Sequence, residues 1–392
     1  MTLSDIEDSG WSEPTPSQTV SFGIPIADAL PEALQRLSAR RVAVITTNSL
    51  VKPDGLAWRV RDALGSRFHT ITSEIRPHTR RADVMRVLKA LEGADGVVTI
   101  GGGSVCDAVK AARLCLANGV TDAAGMDRFR TFGNNPGGEG DTTLPATLPF
   151  VAIPTTLSAA EFTPAAGVTD ERGPMKQIFM YPGVGADIVI LDPAMTRQTP
   201  SRLFFATGMR AVDHAVEIWC SINPNPVSDA YSLYAGRMLI SSLRRVFEAP
   251  DDMQARLNCQ KGAWLSVRGA TGTVKAGASH GLGHALGGTG GMVHGETTCV
   301  MLPHVLRYNA PVNGERQAVI ASSVGEGHRA LADIIESLVA DLGLPGRLRD
   351  AGVAHALLDD VAAAALHDPM LATNPRPLRT LAEIRQFLEQ AW

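Results

Sequence analysis

The sequence predicts a two-domain chain, with an α/β domain built on a parallel sheet followed by an all-α domain. In the first half, short apolar runs such as 41–47 and 96–100 alternate with stretches at helical spacing. Continuous apolar runs of this kind are typical of parallel strands that helices cover on both faces. From Pro200 onward these runs disappear and helical spacing dominates. A length of 392 residues also suits two domains.

Each element follows from that alternation. The predicted strands are 41–47, 68–73, 96–100, 151–153 and 188–191, and the first predicted helices are 58–64, 82–91 and 104–117. The later predicted helices are 206–222, 228–248, 253–270 and 330–342. The Gly- and Asn-rich segment from Asn134 to Thr143 predicts a surface loop. We therefore expect a flexible segment over 1–20, an α/β dinucleotide-binding domain over 21–198 and a helical metal or substrate domain over 199–392.

Composition excludes several classes of function. The net charge of −4 and the absence of a like-charge block argue against a nucleic-acid partner. The sequence contains no run of about 18 apolar residues, so it predicts no membrane-spanning helix. The N-terminal residues lack the pattern of a signal or transit peptide, so a cytoplasmic location is expected. Five scattered cysteines without a C-x-x-C pair predict neither a disulfide framework nor a cysteine zinc site.

A triglycine turn is the clearest cofactor signal. Gly101, Gly102 and Gly103 follow a predicted strand, and Ser104 opens a predicted helix. Without side chains, backbone N–H groups can approach a diphosphate, and the helix N-terminus adds partial positive charge. The pattern is not G-x-G-x-x-G, so it does not predict a standard Rossmann fingerprint, and a simple tight turn is the alternative.

Histidines gather in two short segments. Arg210 and His214 are four residues apart and share a helix face, as do His280 and His284. His294 follows a glycine-rich turn. Four of the ten histidines therefore fall in two clusters, which favours a site over isolated core histidines.

These segments resemble the iron-type (group III) alcohol dehydrogenase superfamily, which has a dehydroquinate synthase-like fold. The matching segments are GGGSVCDAVKAAR from Gly101, IPTT from Ile153, TGMRAVDHAVE from Thr207, SHGLGHALGG from Ser279, VHGE from Val293, and LPHV with YNAP from Leu302 and Tyr308. The spacing of five from Thr156 to Glu161 is similar to that of the maleylacetate reductases.

The resemblance implies an NAD(H) or NADP(H) cofactor. By analogy the three glycines and Ser104 hold its diphosphate, Thr155 and Thr156 contribute to its pocket, and Asp107 lies near the nicotinamide end or the substrate. An acid just after the first strand would favour NAD by binding the ribose hydroxyls. This chain has Thr46, Thr47, Asn48 and Ser49 there instead, so both cofactors remain open.

The resemblance also implies a metal site from which this sequence departs. Family members hold a divalent cation with an aspartate and with histidines at the positions of His214, His280 and His294, while His284 lies nearby. Here Arg210 replaces the aspartate, and a guanidinium has no lone pair to offer. Asp213 lies about 100° away round the helix and could join only through a distortion. Three histidines could still bind Fe or Zn. A metal is therefore possible but not favoured.

Three functions remain open from the sequence. The first is a metal-independent reductase of an acidic enoyl or keto substrate, with maleylacetate, an intermediate of aromatic catabolism, as the family example. Arg210 would bind a carboxylate, and protonated His280, His284 or His294 would deliver a proton. Arg210 could instead pair with Asp213 or Glu217. The second is a metal-dependent alcohol or aldehyde dehydrogenase. The third is a lyase or cyclising synthase, or a binding protein, although the LPHV and YNAP match argues against it.

The expected partners are a small-molecule substrate that carries a carboxylate and a second copy of the chain in a homodimer, as relatives commonly dimerise. We expect no nucleic-acid or membrane partner. Lys176, Trp219 and Trp264 are interpreted as surface or packing residues.

Overall fold

The computed structural model describes residues 18–131, 143–173, 176–181, 183–270 and 274–392. The chain divides into two compact units, one ending at Thr199 and the other beginning at Pro200. The first unit is α/β and carries a six-stranded parallel sheet, and the second is helical. The predicted fold class is confirmed.

The α/β unit alternates strands and helices along the chain. Its elements are β1 (Thr19–Phe22), α1 (Ile26–Arg36), β2 (Val42–Ile45), α2 (Leu56–Leu64), β3 (Phe68–Thr72), α3 (Arg81–Ala90), β4 (Gly96–Gly101), α4 (Gly103–Ala117), β5 (Phe150–Pro154), β6 (Ala165–Thr169), β7 (Lys176–Met180) and β8 (Ile188–Leu191). Strands β2, β4, β5 and β8 are buried along their whole length, as expected of strands covered on both faces. Strands β6 and β7 form a separate antiparallel pair.

The strand order indicates where the α/β unit would bind a ligand. The order is β1-β8-β5-β4-β2-β3, with β2 and β4 side by side. The chain leaves β2 toward β3 on one side and leaves β4 toward β5 on the other. In open parallel sheets, ligands bind outside the carboxyl ends of the strands where the order reverses in this way. Here those ends are Thr46–Asn48 and Gly101–Gly103.

The helical unit consists of nine helices among its described residues. They are α5 (Ser201–Trp219), α6 (Pro226–Glu248), α7 (Met253–Arg268), α8 (Ala278–Gly288), α9 (His294–Ser323), α10 (Leu331–Asp341), α11 (Leu358–Ala365), α12 (Pro369–Ala372) and α13 (Leu381–Ala391). Helix α9 bends at Asn313, whose backbone is non-helical, two residues after Pro311. Helix α8 packs against α9, α11 and α12. Among the described helices, none is long and apolar enough to cross a membrane.

The N-terminal prediction needs a correction. Residues 1–17 of the expected flexible segment lie outside the described residues, but Thr19 and Val20 belong to β1, which pairs with β8. This strand is only four residues long and lies at the sheet edge, so its sequence carries little apolar signal. The expected loop over 134–143 lies outside the described residues except for Thr143.

Candidate functional site

The glycine turn between β4 and α4 lies directly against the loop that follows β5. Gly101 has a φ of +150° and its carbonyl accepts a hydrogen bond from Thr155 N at 2.9 Å. A Cβ on Gly102 would lie 3.0 Å from Thr156 Oγ1, and one on Gly103 would lie 3.3 Å from Ser158 Oγ. Side chains at Gly102 and Gly103 would press on the loop after β5, and Gly101 has a positive φ that favours glycine.

Two hydroxyl groups in this contact have no hydrogen-bond partner. Thr156 Oγ1 and Ser158 Oγ are buried and unpaired in the described part of the chain. A buried hydroxyl without a partner costs free energy, so such groups indicate a place for a missing ligand. Together with the N–H groups at the start of α4, they could donate to the oxygens of a diphosphate.

Ser104 and Asp107 are both engaged within the α/β unit. Ser104 Oγ accepts a hydrogen bond from His78 N at 3.1 Å. Asp107 accepts one from Gly167 N at 3.0 Å and pairs with Lys110 Nζ at 3.1 Å. The fully buried Lys110 also donates to the carbonyls of Ala160 and Ala165. Asp107 thus joins α4 to β6, and its expected place near the nicotinamide stays a prediction.

Asn48 lies in a cluster of small polar side chains after β2. Its Oδ1 accepts a hydrogen bond from Ser73 Oγ at 2.7 Å, and the hydroxyls of Thr47 and Ser49 lie 2.9 Å apart. The four side chains are uncharged at the strand end where an acid would bind ribose hydroxyls.

In the helical unit, Glu217 of α5 holds the first turn of α8. Its carboxylate accepts hydrogen bonds from the backbone N–H groups of Gly277, Ser279 and His280 at 3.0, 2.8 and 3.2 Å. It also accepts one from His280 Nδ1 at 2.7 Å. A carboxylate at a helix N-terminus satisfies N–H groups that lack helical partners. Because Nδ1 carries the proton, His280 Nε2 is left as an acceptor, and this atom is buried and unpaired.

Arg210 is buried beside this histidine and forms an ion pair. Its side chain is only 8% exposed, and Nη1 lies 3.2 Å from Asp213 Oδ2 and 3.3 Å from Thr298 Oγ1. Thr298 also donates to Asp213 Oδ2 at 2.9 Å. The alternative of an ion pair with Asp213 is therefore the arrangement found, and no described ion pair joins Arg210 to Glu217.

The two buried imidazoles are neutral. The ring centroids of His214 and His280 lie 4.9 Å apart. Burial, followed by the positive charge of Arg210, lowers the pKa of His280 to about 3. Burial, His280 and Arg210 hold the pKa of His214 well below its usual value. Burial beside a guanidinium disfavours a second proton on the ring, which argues against His280 as a proton donor, and the catalytic role of His280 stays a prediction.

His284 occupies a different environment one turn later on α8. Its side chain is 43% exposed, and Nδ1 lies 2.8 Å from Asp368 Oδ2. Burial raises the pKa of Asp368, but the hydrogen bond and charge of His284, the N–H of Met370 and the charge of His280 together lower the pKa of Asp368 below its usual value. The side chain of His294, the fourth predicted histidine, lies outside the described residues, although its backbone begins α9.

The donor set does not fit a divalent cation well. Ligand atoms of Asp213, Glu217 and His280 lie within 4.8 Å of one another, which is close enough for a metal. However, both oxygens of Glu217 already accept N–H groups, and Asp213 Oδ2 is bonded to Arg210 and Thr298. The unpaired atoms Asp213 Oδ1, His214 Nδ1 and His280 Nε2 could be ligands, but Arg210 is paired with Asp213 and its charge reaches both rings. A cation there would be repelled by the same potential that opposes protonation.

Several residues of this site are not predicted by the sequence. Asp368 bonds His284, and Asn374 Oδ1 accepts a hydrogen bond from Ala278 N at 3.1 Å at the start of α8. Thr298 orients the Arg210–Asp213 pair. The sequence predicts Glu217 only as an alternative ion-pair partner of Arg210, not as the acceptor at the start of α8. No local sequence pattern indicates that role, because Glu217 lies near the end of α5 and is 62 positions from Ser279.

Comparison with known proteins agrees with this architecture. Residues 16–193 match the family described as iron-containing alcohol dehydrogenase, and residues 204–392 match its C-terminal family. The dehydrogenase FUM7 of Gibberella moniliformis is 33% identical, over 91% of this chain and 92% of its own length. Long-chain-alcohol dehydrogenase 1 of Geobacillus thermodenitrificans is 31% identical, over 93% of each chain.

A solved structure extends the comparison. The crystal structure of maleylacetate reductase from Agrobacterium tumefaciens superposes with a TM-score of 0.80 at 27% identity, covering 98% of each chain. The family matches span both units, and the two relatives cover most of the chain. The chain belongs to the iron-containing alcohol dehydrogenase family and is an oxidoreductase of that superfamily.

Proposed function

We propose that the chain is a metal-independent, NAD(P)H-dependent reductase of small carbonyl or enoyl acids. The observation that carries this proposal is the buried guanidinium of Arg210 among the histidines, paired with Asp213. A fixed cation in that place supplies positive charge near the imidazoles without a metal. Such charge can stabilise the oxyanion or enolate that forms when hydride adds to the substrate.

The proposed cofactor is a nicotinamide dinucleotide bound at the glycine turn. Gly102 and Gly103 leave room for a diphosphate, and the unpaired hydroxyls of Thr156 and Ser158 can donate to it. The uncharged cluster around Asn48 supports acceptance of NADPH as well as NADH, because no carboxylate there repels a 2′-phosphate. Hydride would leave C4 of the reduced nicotinamide for the substrate.

The proposed substrate carries a carboxylate, and similarity to a maleylacetate reductase supports this class. Because Arg210 Nη1 already bonds Asp213 and Thr298, we propose that Arg210 acts on the substrate through its charge rather than through a full bidentate fork. The proposal also includes a homodimer acting in the cytoplasm, with no nucleic-acid or membrane partner.

A second candidate is a metal-dependent alcohol or aldehyde dehydrogenase. The buried, unpaired atoms His214 Nδ1 and His280 Nε2 favour this candidate. Glu217 also bonds Nδ1 of His280, which is how carboxylates commonly orient histidines that bind a metal. In that case these two histidines, with His294, would hold the cation, which would polarise the substrate oxygen.

One experiment separates the two candidates. Oxidation of NADPH and NADH is measured with maleylacetate and with simple aldehydes, with and without a chelator, alongside the elemental metal content of the purified protein. The proposal expects turnover of the acidic substrate that survives chelation, with far less than one metal per chain. About one Fe, Zn or Mn per chain with chelator-sensitive aldehyde reduction would establish the second candidate instead.

A further inference from the structure

Two consecutive residues between β3 and α3 have left-handed backbone conformations. The φ of His78 is +64° and that of Thr79 is +31°. Residues other than glycine rarely adopt a positive φ, and a β-branched threonine is an outlier there. Such strained conformations persist only where the surrounding structure fixes them, and they cluster at sites that bind ligands. The turn formed by residues 76–80 is therefore a candidate for a role beyond connecting a strand to a helix.

Hydrogen bonds from two neighbouring elements fix this turn. The carboxylate of Asp83, which is fully buried in α3, accepts hydrogen bonds from both ends of the turn, from Arg76 Nη2 at 2.9 Å and from Arg80 N at 3.0 Å. From β6, Thr169 donates its N–H and its hydroxyl to the carbonyls of the two left-handed residues at 2.7 and 2.8 Å. These bonds hold the turn in a conformation that its own residues disfavour.

The same two residues also contact the start of α4, and both contacts are with Ser104. His78 N donates to Ser104 Oγ at 3.1 Å, and Thr79 Oγ1 donates to the carbonyl of Ser104 at 2.8 Å. Thr79 is only 1% exposed. Ser104 lies in the first turn of α4, directly after the three glycines. The turn therefore fixes both the backbone and the side chain of the residue that follows the glycine turn.

The contact with His78 N determines what the hydroxyl of Ser104 can do. A serine hydroxyl has one hydrogen to donate and two lone pairs that accept. Accepting the N–H occupies one lone pair and leaves the hydroxyl hydrogen for another acceptor. The first helical hydrogen bonds of α4 are made by Val105 N and Cys106 N, so the earlier N–H groups of the helix need an acceptor as well. A hydroxyl donor beside such N–H groups suits an anionic oxygen.

We propose that Thr79 is a positioning residue for the cofactor site, and that its hydroxyl holds Ser104 where the Ser104 hydroxyl donates to the diphosphate of the nicotinamide dinucleotide. This inference rests on the proposed binding of the cofactor at the glycine turn. Thr79 acts through Ser104 and does not itself touch the cofactor. Because the turn is fixed by α3 and β6, the donor is in place before the cofactor binds, and preorganisation of this kind increases affinity.

The test compares Thr79→Val, which keeps the shape of the side chain and removes its hydroxyl, with Thr79→Ser, which keeps the hydroxyl. Thr196→Val is the matched control, because Thr196 is also buried in the α/β unit and its hydroxyl donates to the carbonyl of Pro193 at 2.8 Å. Fluorescence titration measures the Kd for NADH and for NADPH. We expect Thr79→Val to weaken the binding of both by about tenfold, the order expected when a hydrogen bond to a charged group is lost. Thr79→Ser and Thr196→Val should stay within about threefold of the wild type.

Two further measurements separate positioning from a general loss of stability. In steady-state kinetics, Thr79→Val should raise the KM for the cofactor and leave kcat within about twofold, because the diphosphate is bound equally before and during hydride transfer. In the Ser104→Ala background, Thr79→Val should weaken cofactor binding by less than about threefold, because the hydroxyl that Thr79 positions is absent. If Thr79→Val does not fold, Thr79→Ala takes its place with the same expected results, since alanine lacks the β-branch that disfavours a positive φ.

The outcomes distinguish the inference from the function on which it rests. The inference alone is overturned if the wild type binds NADH but Thr79→Val binds it within threefold of the wild type. A Thr79→Ser variant as weak as Thr79→Val, or a full tenfold loss in the Ser104→Ala background, also overturns it. A wild type that binds neither NADH nor NADPH overturns the proposed cofactor, and the role of Thr79 with it.

Discussion

At the scale of single residues, we expect the buried guanidinium of Arg210 to oppose the binding of a cation in the helical unit. Arg210→Asp removes that positive charge and adds a carboxylate near Asp213, His214 and His280. We therefore expect the variant to take up about one divalent metal per chain, where the wild type takes up little. Elemental analysis after incubation with Zn²⁺ or Fe²⁺ and removal of excess metal measures this.

The matched control for that experiment is Arg210→Met, which removes the charge without adding a ligand. Uptake should follow the order Asp variant, Met variant, wild type. Equal uptake by all three proteins would mean that position 210 has no influence on the metal, and our interpretation of the cluster would be wrong.

Gly102 lies in the glycine turn where we propose that the cofactor binds. Its φ is −96°, so alanine fits the backbone, but the added Cβ would meet Thr156 Oγ1 at 3.0 Å. Gly102→Ala should therefore weaken NADPH binding by about tenfold or more, equivalent to about 1.4 kcal/mol, with little loss of stability. Fluorescence titration of the cofactor measures the effect. Gly173→Ala, where a Cβ meets nothing within 4 Å, is the control and should bind as the wild type does.

The sequence could predict the parts of the candidate site that lie close together in the chain, but not the contacts between distant segments. The glycine turn was predictable because a strand, three glycines and a helix are adjacent in the chain. The histidine pairs were predictable because a spacing of four places residues on one helix face. The contacts of Glu217 with Ser279 and of His284 with Asp368 join residues 62 and 84 positions apart, so no local pattern indicates them.

At the scale of elements, the missed strands and helices have physical reasons. Helix α1 contains Pro31 in its interior, and a proline at such a position predicts the end of a helix. Strand β1 is short and only half-buried. The strands β2, β4 and β8 were predicted because every residue in them is buried, which leaves a continuous apolar run.

Helix α8 depends on an acid from another helix for its first turn. Glu217→Ala would leave the N–H groups of Gly277, Ser279 and His280 without their acceptor. We expect a loss of about 3–5 kcal/mol in the free energy of unfolding, the range for breaking a buried charged contact. Urea unfolding followed by circular dichroism measures it. Glu248→Ala, at the exposed end of α6, should change stability by less than about 0.5 kcal/mol. A comparably small loss for Glu217→Ala would contradict its role at α8.

The loop after β5 contains a buried carboxyl group whose protonation affects stability. Burial raises the pKa of Glu161 from 4.5 to about 7. A carboxyl with a raised native pKa binds more protons in the folded state, so its contribution to stability falls as pH rises from about 4.5 to about 7. Glu161→Gln should remove this dependence. The free energy of unfolding of the variant minus that of the wild type should therefore be larger at pH 8 than at pH 4.5, by up to about 3 kcal/mol.

Urea unfolding of both proteins at pH 4.5 and pH 8 checks that sign. Glu92→Gln, at an exposed position in the same unit, serves as the control and should keep the pH dependence of the wild type. A difference between Glu161→Gln and the wild type that is the same at both pH values would show that Glu161 does not titrate in this range.

At the scale of the whole molecule, ligands that bind the folded chain must raise its unfolding temperature. The α/β unit carries the proposed dinucleotide site at Gly101–Gly103, and in the helical unit the carboxylates near the imidazoles are already paired, Asp213 with Arg210 and Glu217 with N–H groups of α8. At a hundred times its Kd, a ligand stabilises the native state by about 2.7 kcal/mol. We therefore expect NADPH and NADH to raise the unfolding temperature of the wild type, and Zn²⁺, Fe²⁺ and Mn²⁺ to leave it unchanged.

In Arg210→Asp the same metals should raise the unfolding temperature, because the repelling charge has been replaced by a ligand. If the metals stabilise the wild type as strongly as the cofactors do, the Arg210–Asp213 pair must open to admit a cation, and the metal-dependent dehydrogenase becomes the better description of the chain.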